Sequence, residues 1–252
     1  MLAEERRKAI AEEVKTRGSV EVSDLSDKFG VTRETIRRDL EKLEKKGVLQ
    51  RTHGGAVNSG REKEELDFDL RKKRKTEAKK KIAEKAFRYV DPNDTIFMDG
   101  SSTSYYLARR IQNSNYGDLT VITNSASTCT ELAKNKDISV ISSGGLMRNH
   151  NYTMVGPKAR SIISDYNASK FFASCTGITE KSGATEANDL EIEIKREMAD
   201  RSDRVFLLAD HSKFSFIGLS TFLPVDSIDT IITDDISHEN VRQEFGSRSI
   251  II

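Results

Sequence analysis

The sequence predicts an α/β protein in two parts: a small N-terminal winged helix-turn-helix, then a larger α/β domain on a mostly parallel sheet. Three observations predict it. The first sixty residues carry apolar positions at helical spacing, broken by Gly18, Gly30 and Gly47. From about residue 79 short continuous apolar runs alternate with helical stretches, the pattern of strands covered on both faces. The charge is also divided: the chain of 252 residues has a net charge of +1, yet residues 1–85 carry 24 Lys and Arg against 18 Asp and Glu, a net +6, and the remainder is −5. That length buries a real core and suits two compact units.

Taking the elements in order, residues 3–16 place Ile10 and Val14 four apart among charges, an amphipathic helix ending at Gly18. A short second helix turns Val22, Leu25 and Phe29 to one side and stops at Gly30. The third begins at Thr32, a side chain suited to an N-cap, with Glu34 in the first turn at the positive end of the helix dipole. Ile36, Leu40 and Leu43 fall at i, i+4 and i+7 and form its buried stripe, which turns Arg33, Glu34, Arg37 and Arg38 outward near the helix start. Residues 48–57 read as a β-hairpin around Gly54-Gly55, a wing able to carry Arg51 and His53 to a phosphate backbone. A plain three-helix bundle that binds protein has the same spacing. Residues 58–65 are polar and precede the basic run Arg71-Lys72-Lys73-Arg74-Lys75 and Lys79-Lys80-Lys81, which reads as a solvated helix over about 66–89 joining the parts. The expected division is 1–58 for the winged helix-turn-helix, 59–78 for a linker and 79–252 for the α/β domain.

In the larger part the expected strands are 95–98, 120–122, 138–141, 170–173, 205–209 and 230–232. Each runs into a small polar cluster: Asp99-Gly100-Ser101-Ser102-Thr103, Thr123-Asn124-Ser125, Ser142-Ser143-Gly144-Gly145, Thr176-Gly177, Asp210-His211-Ser212-Lys213 and Thr233-Asp234. Ligands of open parallel sheets collect beyond the carboxyl ends of the strands, where all these clusters lie. Gly100 lets backbone N–H groups approach an anion, Ser101, Ser102 and Thr103 add hydroxyls, and the following helix presents its positive end. Lys195 and Lys213 are candidates to neutralise a phosphate, and Asp99 and Asp210 to accept hydrogen bonds from sugar hydroxyls. Taken singly, such clusters are also ordinary N-caps and turns.

The run Thr32-Arg33-Glu34-Thr35-Ile36-Arg37-Arg38-Asp39-Leu40, followed by Leu43, Gly47, Arg51 and His53-Gly54-Gly55-Ala56, resembles the winged helix of the DeoR family of bacterial transcription regulators. The resemblance implies major-groove reading by the third helix, with Thr35, Arg37 and Arg38 as base or phosphate contacts and Thr32, Arg33, Arg51, His53 and Gly54 around them. Asp39 is expected instead to pair with a neighbouring cation. Asp99-Gly100-Ser101-Ser102-Thr103, Thr123-Asn124, Gly144-Gly145, Lys195 and Asp210-His211-Ser212-Lys213-Phe214 extend the resemblance to the family's C-terminal domain, itself similar to ribose-5-phosphate isomerase and the coenzyme A transferases. It implies a sensor for a phosphorylated sugar. Two departures stand out. Cys175-Thr176-Gly177-Ile178-Thr179 has no carboxylate where the isomerases carry an acidic loop, which weakens an enzymatic reading. Ser169 and Ser174 replace an expected Asp and Gly.

The expected function is therefore DNA-binding regulation, in the form of a repressor of a sugar-uptake or catabolic operon controlled by a phosphorylated sugar. An isomerase-like enzyme with an accessory DNA-binding domain, and a protein–protein adaptor, are the alternatives. The four His have no metal-ligand spacing, the two Cys are lone thiols, and neither a Walker motif nor GxGxxG occurs, so no metal or cofactor is expected. Residues 1–11 lack an apolar signal core and the longest apolar runs are far short of a membrane helix. The expectation is a cytoplasmic homo-oligomer, dimer or tetramer, because one winged helix covers only a half-site.

Overall fold

The computed structural model describes residues 3–17, 19–45, 48–51, 54–58, 66–235, 241 and 245. The chain forms two compact units, residues 1–64 and 65–252.

The first unit is α1 (Ala3–Arg17), β1 (Ser19–Glu21), α2 (Val22–Phe29), α3 (Arg33–Lys45), β2 (Leu49–Arg51) and β3 (Gly55–Asn58). Ile10, Val14, Val22, Leu25, Ile36, Leu40, Leu43 and Leu49 close into one core. Gly30 ends α2 at φ +62°, and the Ser26 hydroxyl donates to the Val31 carbonyl at 2.6 Å, fixing the tight turn into α3. The Thr32 hydroxyl accepts the Thr35 N–H at 3.3 Å, as an N-cap does. Strands β2 and β3 form the antiparallel wing. Strand β1 is an addition to the sequence expectation. At three residues it is too short to show alternation, and it exists because it pairs with β3, Val20 opposite Ala56.

The second unit begins with α4 (Phe68–Lys73) and α5 (Thr76–Phe87). There follow β4 (Thr95–Met98), α6 (Ser102–Gln112), β5 (Leu119–Thr123), α7 (Ala126–Leu132), β6 (Ile138–Ser142), β7 (Leu146–Arg148), β8 (Thr153–Val155) and α8 (Pro157–Ser164). It continues with β9 (Ala168–Ala173), β10 (Gly177–Thr179), β11 (Gly183–Glu186), α9 (Asp189–Asp200), β12 (Ser202–Leu208), β13 (Ser220–Leu223) and β14 (Thr230–Ile232). The central sheet is parallel, in the order β14-β12-β9-β4-β5-β6. Alternate residues face opposite layers. Phe97, Phe171 and Leu207 meet Ile163, Ile194 and Met198 of α8 and α9, while Ile96, Phe172, Phe206 and Leu208 meet Ile82, Leu107 and Ile111 of α5 and α6. Covering both faces explains the unbroken apolar runs. The antiparallel ribbon β7-β8 and the sheet β10-β11-β13 stand outside this frame and were not expected.

Residues 66–78 depart from the expected linker, and the continuous helix over 66–89 is broken. Arg74 is extended (φ −82°, ψ 139°) and Lys75 left-handed (φ 49°, ψ 40°), so α4 and α5 are separate helices. The cause is packing: Phe68 is buried, and the Lys79 ammonium turns inward to donate to the carbonyls of Arg71 and Arg74, closing the end of α4. Among the described residues no helix is long and apolar enough to cross a membrane.

Candidate nucleic-acid interface and effector site

In the first unit, burial of Ile36, Leu40 and Leu43 leaves Thr32, Arg33, Arg37 and Arg38 exposed along the outer face of α3, with Thr35 half-buried. Arg37 and Arg38 make only loose contacts with Glu34, at 3.8 and 3.5 Å, which water screens. Both guanidinium groups are therefore available to an anion. Asp39 is buried and accepts from Arg6 at 2.6 Å and Arg7 at 3.3 Å, pinning α3 to α1 rather than facing a ligand. Arg51 and Gly54 are exposed on the wing, whose Arg51 N–H donates to Glu44 at 2.8 Å. His53 lies outside the described residues.

In the second unit the expected polar clusters do meet along the carboxyl edge of the six-stranded sheet, but they divide into scaffold and groups with unused hydrogen-bonding capacity or charge. Asp99 is scaffold. Its oxygens accept from the Ser101 N–H (3.1 Å), the Ser104 hydroxyl (2.6 Å) and the Ser174 N–H (2.8 Å), and Lys195 pairs with it at 3.1 Å, so the carboxylate expected to contact a sugar is already engaged by the protein. Lys195 is likewise spent. Fully buried, its ammonium donates to Glu186 at 2.5 Å and the Ser174 carbonyl at 2.8 Å and pairs with Asp99 at 3.1 Å. Burial would drive its pKa down, but Glu186 and Asp99 drive it well above the ordinary lysine value. The lysine expected to neutralise a phosphate already sits between two carboxylates. Thr123 is fully buried and accepts the Ser125 N–H, and Ser101 caps α6 through the Ser104 N–H.

What remains is the start of α6, where Ser102 and Thr103 are themselves buried, and the rim around it. Ser102 and Thr103 occupy the first helical turn, where backbone N–H groups have no intrahelical acceptor. Gly100 is required there, because a Cβ would collide with the Thr153 side chain. Asn124 donates to Met154 O (3.2 Å) and Glu191 (3.3 Å), while its Oδ1, beside Gly100, is buried without a hydrogen-bond partner, one of two such atoms among the described residues. Gly144 (φ +56°) and Gly145 (φ +112°) form the turn from β6 to β7, where Gly145 lies tight against the Val155 carbonyl, and Gly177 packs on the Phe216 backbone. These three glycines have structural reasons to be glycine.

At the β12 end of the edge Asp210 is buried and accepts from Ser212, while Lys75 lies 3.5 Å away. Burial raises its pKa, but Lys213 and Lys75 outweigh burial and hold the carboxyl below its ordinary value. Lys213 is half-buried; its backbone N–H donates to the Asp210 carbonyl at 2.9 Å, while its ammonium makes no hydrogen bond or ion pair among the described residues. Lys79 is pushed down to about 8, first by burial and then by Lys213, Arg71 and Lys75, with Asp210 opposing. This end of the edge carries surplus positive charge.

Several residues of the edge escaped the sequence reading. Glu186 comes from β11 to the Thr176 hydroxyl at 2.5 Å, restoring a carboxylate to the loop that lacks one in sequence. It is held at about 2: burial opposes ionisation, but Lys195 prevails, which makes it a poor proton acceptor. Glu191 of α9 ties Arg148 (2.8 Å), Thr153 and Asn124 together. Lys75 and Lys79 looked like part of a solvated run. Ser169 bonds Asp94 at 2.8 Å at the amino end of β9, remote from the carboxyl edge, so its departure from the family pattern does not reshape the site. Cys175, buried and pushed up to about 12 by that burial, is an inert core thiol.

Comparison with known families matches residues 6–61 to the DeoR-like helix-turn-helix domain and residues 74–235 to the DeoR C-terminal sensor domain. The uncharacterized HTH-type transcriptional regulator YulB of Bacillus subtilis is 40% identical over 93% of this chain and 90% of its own length. An L-fucose operon activator of Haemophilus influenzae is 33% identical over 94% of each chain. A putative aga operon transcriptional repressor of Escherichia coli O157:H7 is 28% identical over 92% of this chain and 86% of its own. These relatives are regulators rather than enzymes, and they span both compact units. The chain belongs to the DeoR family of DNA-binding transcriptional regulators.

Proposed function

We propose that the chain is a cytoplasmic repressor of a carbohydrate uptake or catabolic operon, working as a homo-oligomer on double-stranded operator DNA and controlled by a phosphorylated sugar. The α3 face would carry operator recognition through Thr32, Arg33, Thr35, Arg37 and Arg38, with Arg51, His53 and Gly54 of the wing on the backbone. The sensing reading rests on one observation: the carboxyl edge pairs a helix N-terminus, whose first N–H groups lack an intrahelical acceptor, and surplus Lys charge with the partnerless acceptor Asn124 Oδ1. A phosphoryl group answers the first and a sugar hydroxyl the second. Within the expected site, Gly100, Ser102, Thr103, Asn124, Asp210 and Lys213 would surround the ligand. Asp99, Ser101, Thr123, Gly144, Gly145, Gly177 and Lys195 would shape the site. The names of the two operon relatives support a carbohydrate operon as target, one as an activator and one as a repressor.

The test is binding of the full-length protein to DNA upstream of its own gene, titrated with salt and with phosphorylated and unphosphorylated sugars. Specific binding released by one phosphorylated sugar, and not by its parent sugar, is expected. Tightening by that ligand would replace repression with activation, and indifference to every phosphorylated sugar would remove the sensing reading.

A further inference from the structure

The joint between α4 and α5 is a strained point of the second unit. Lys75 sits at φ +49°, a region that a residue with a Cβ seldom occupies unless its surroundings hold it there. The surroundings are the sensing edge itself. Its Nζ lies 3.0 Å from His211 Nε2 and 3.5 Å from Asp210 Oδ1. His211 is fixed from behind: its Nδ1 meets Asp234 at 2.7 Å, and its backbone N–H donates to the same carboxylate at 2.8 Å. Facing an ammonium donor, Nε2 accepts, which places the ring proton on Nδ1 toward Asp234.

The other anchors of α4 also end on this edge or beside it. Arg71 donates to Asn151 at 2.8 Å, the Phe68 N–H donates to the His150 carbonyl at 2.8 Å, and the Phe68 ring packs edge-on against Tyr105 and Tyr152. The Tyr106 hydroxyl, on α6, donates to the Lys72 carbonyl at 3.1 Å, so the joint lies against the helix whose N-terminus faces the proposed phosphoryl group. In sequence α4 is the first described element after residue 65, and the chain before it leads to the helix-turn-helix unit.

We propose that Lys75 is a ligand-operated latch: a phosphoryl group at the start of α6 draws its ammonium away from Asp210 and His211, and the loosened α4 passes the signal to the chain leading to the DNA-binding unit. This rests on the phosphorylated-sugar reading above and deepens it. Lys213 binds the phosphoryl group, whereas Lys75 both binds it and reports it. The surplus cations at the joint favour the exchange, since a dianion offers Lys75 more charge than the single carboxylate of Asp210.

Full-length protein, Lys75→Gln, Lys75→Gly and Lys213→Gln are compared with inorganic phosphate and glucose 6-phosphate as probes and glucose as control. The readouts are thermal shift and hydrogen exchange at residues 68–74. Lys75→Gly removes the side chain while suiting the left-handed backbone, so it guards against misfolding of the Gln variant. In the unsubstituted protein the phosphate-bearing probes raise the melting temperature and speed α4 exchange by about tenfold. Both Lys75 variants exchange fast without a probe and bind the probes about tenfold more weakly. Lys213→Gln loses the thermal shift but keeps slow α4 exchange. If the Lys75 variants match the unsubstituted protein while the thermal shift persists, the latch is overturned and the phosphate reading stands. If the unsubstituted protein shows no shift with either phosphate-bearing probe, both fall.

Discussion

Lys195 places one positive charge between two buried carboxylates, Asp99 at 3.1 Å and Glu186 at 2.5 Å. Replacing it with Met leaves two uncompensated charges in a place water does not reach, and breaking a buried ion pair from one side costs about 3–5 kcal/mol. Urea unfolding of Lys195→Met is expected to show that loss, and an unchanged midpoint would refute the scaffold role. The pH dependence has a definite sign. Glu186 is held at about 2 against an ordinary 4.5, so its stabilisation is complete above about 4.5 and drains away as pH falls toward 2. Acid unfolding of Glu186→Gln, compared with the unsubstituted protein, should lack that component. These residues also mark how far the sequence could be read. Asn124 and Lys213 were legible because each lies in the small polar cluster that comes after a strand. Glu186 was not, since it reaches the edge from an antiparallel strand outside the main sheet, and its partner Lys195 lies on a different element. The sequence reading took Lys195 as a ligand because charge alone does not reveal two carboxylates already bound to it.

Helix α3 shows the same division at the level of an element. Its inner stripe was readable from spacing, and so was its outer basic face, because both follow from one 3.6-residue period. Leu40→Ala on the inner face is expected to cost about 2–5 kcal/mol of first-unit stability, read by denaturation. On the outer face, Arg37→Ala with Arg38→Ala removes only screened pairs with Glu34, so the melting temperature should stay within a degree or two. DNA affinity should fall, and the slope of log affinity against log salt should shrink by about 2 where both arginines meet phosphates, or by about 1 with relaxed specificity where one reads a base. Unchanged affinity and slope would remove α3 as the reading helix. The element the sequence misjudged was the helix over 66–89. Residues 71–77 are all polar, so no apolar spacing marks a break at Arg74 and Lys75, and the inward turn of Lys79 onto the end of α4 is a tertiary effect that periodicity does not carry.

For the whole molecule, the near-zero net charge divides into a basic start and an acidic remainder, +6 and −5 about residue 85. The units themselves meet at residue 64, however, where residues 1–64 carry +2 and residues 65–252 carry −1, so a polyanion is drawn to the first unit by the exposed Arg33, Arg37 and Arg38 of α3 rather than by its net charge. One winged helix covers a short half-site, and the affinity regulators reach comes from joining two such contacts on one duplex. The protein is expected to assemble as a dimer or tetramer and to protect two half-sites whose centres lie one helical turn of DNA apart, about 34–36 Å, or a multiple of it. Mass photometry at binding concentrations together with footprinting of the upstream DNA tests both statements. Moving one half-site by five base pairs places it on the opposite side of the duplex and should lower affinity by about tenfold or more, whereas moving it by ten should restore much of the binding. A monomer protecting one half-site, with affinity indifferent to the spacing, would leave each chain to act alone, and the sensing unit would then have to control a single helix-turn-helix through its own linker.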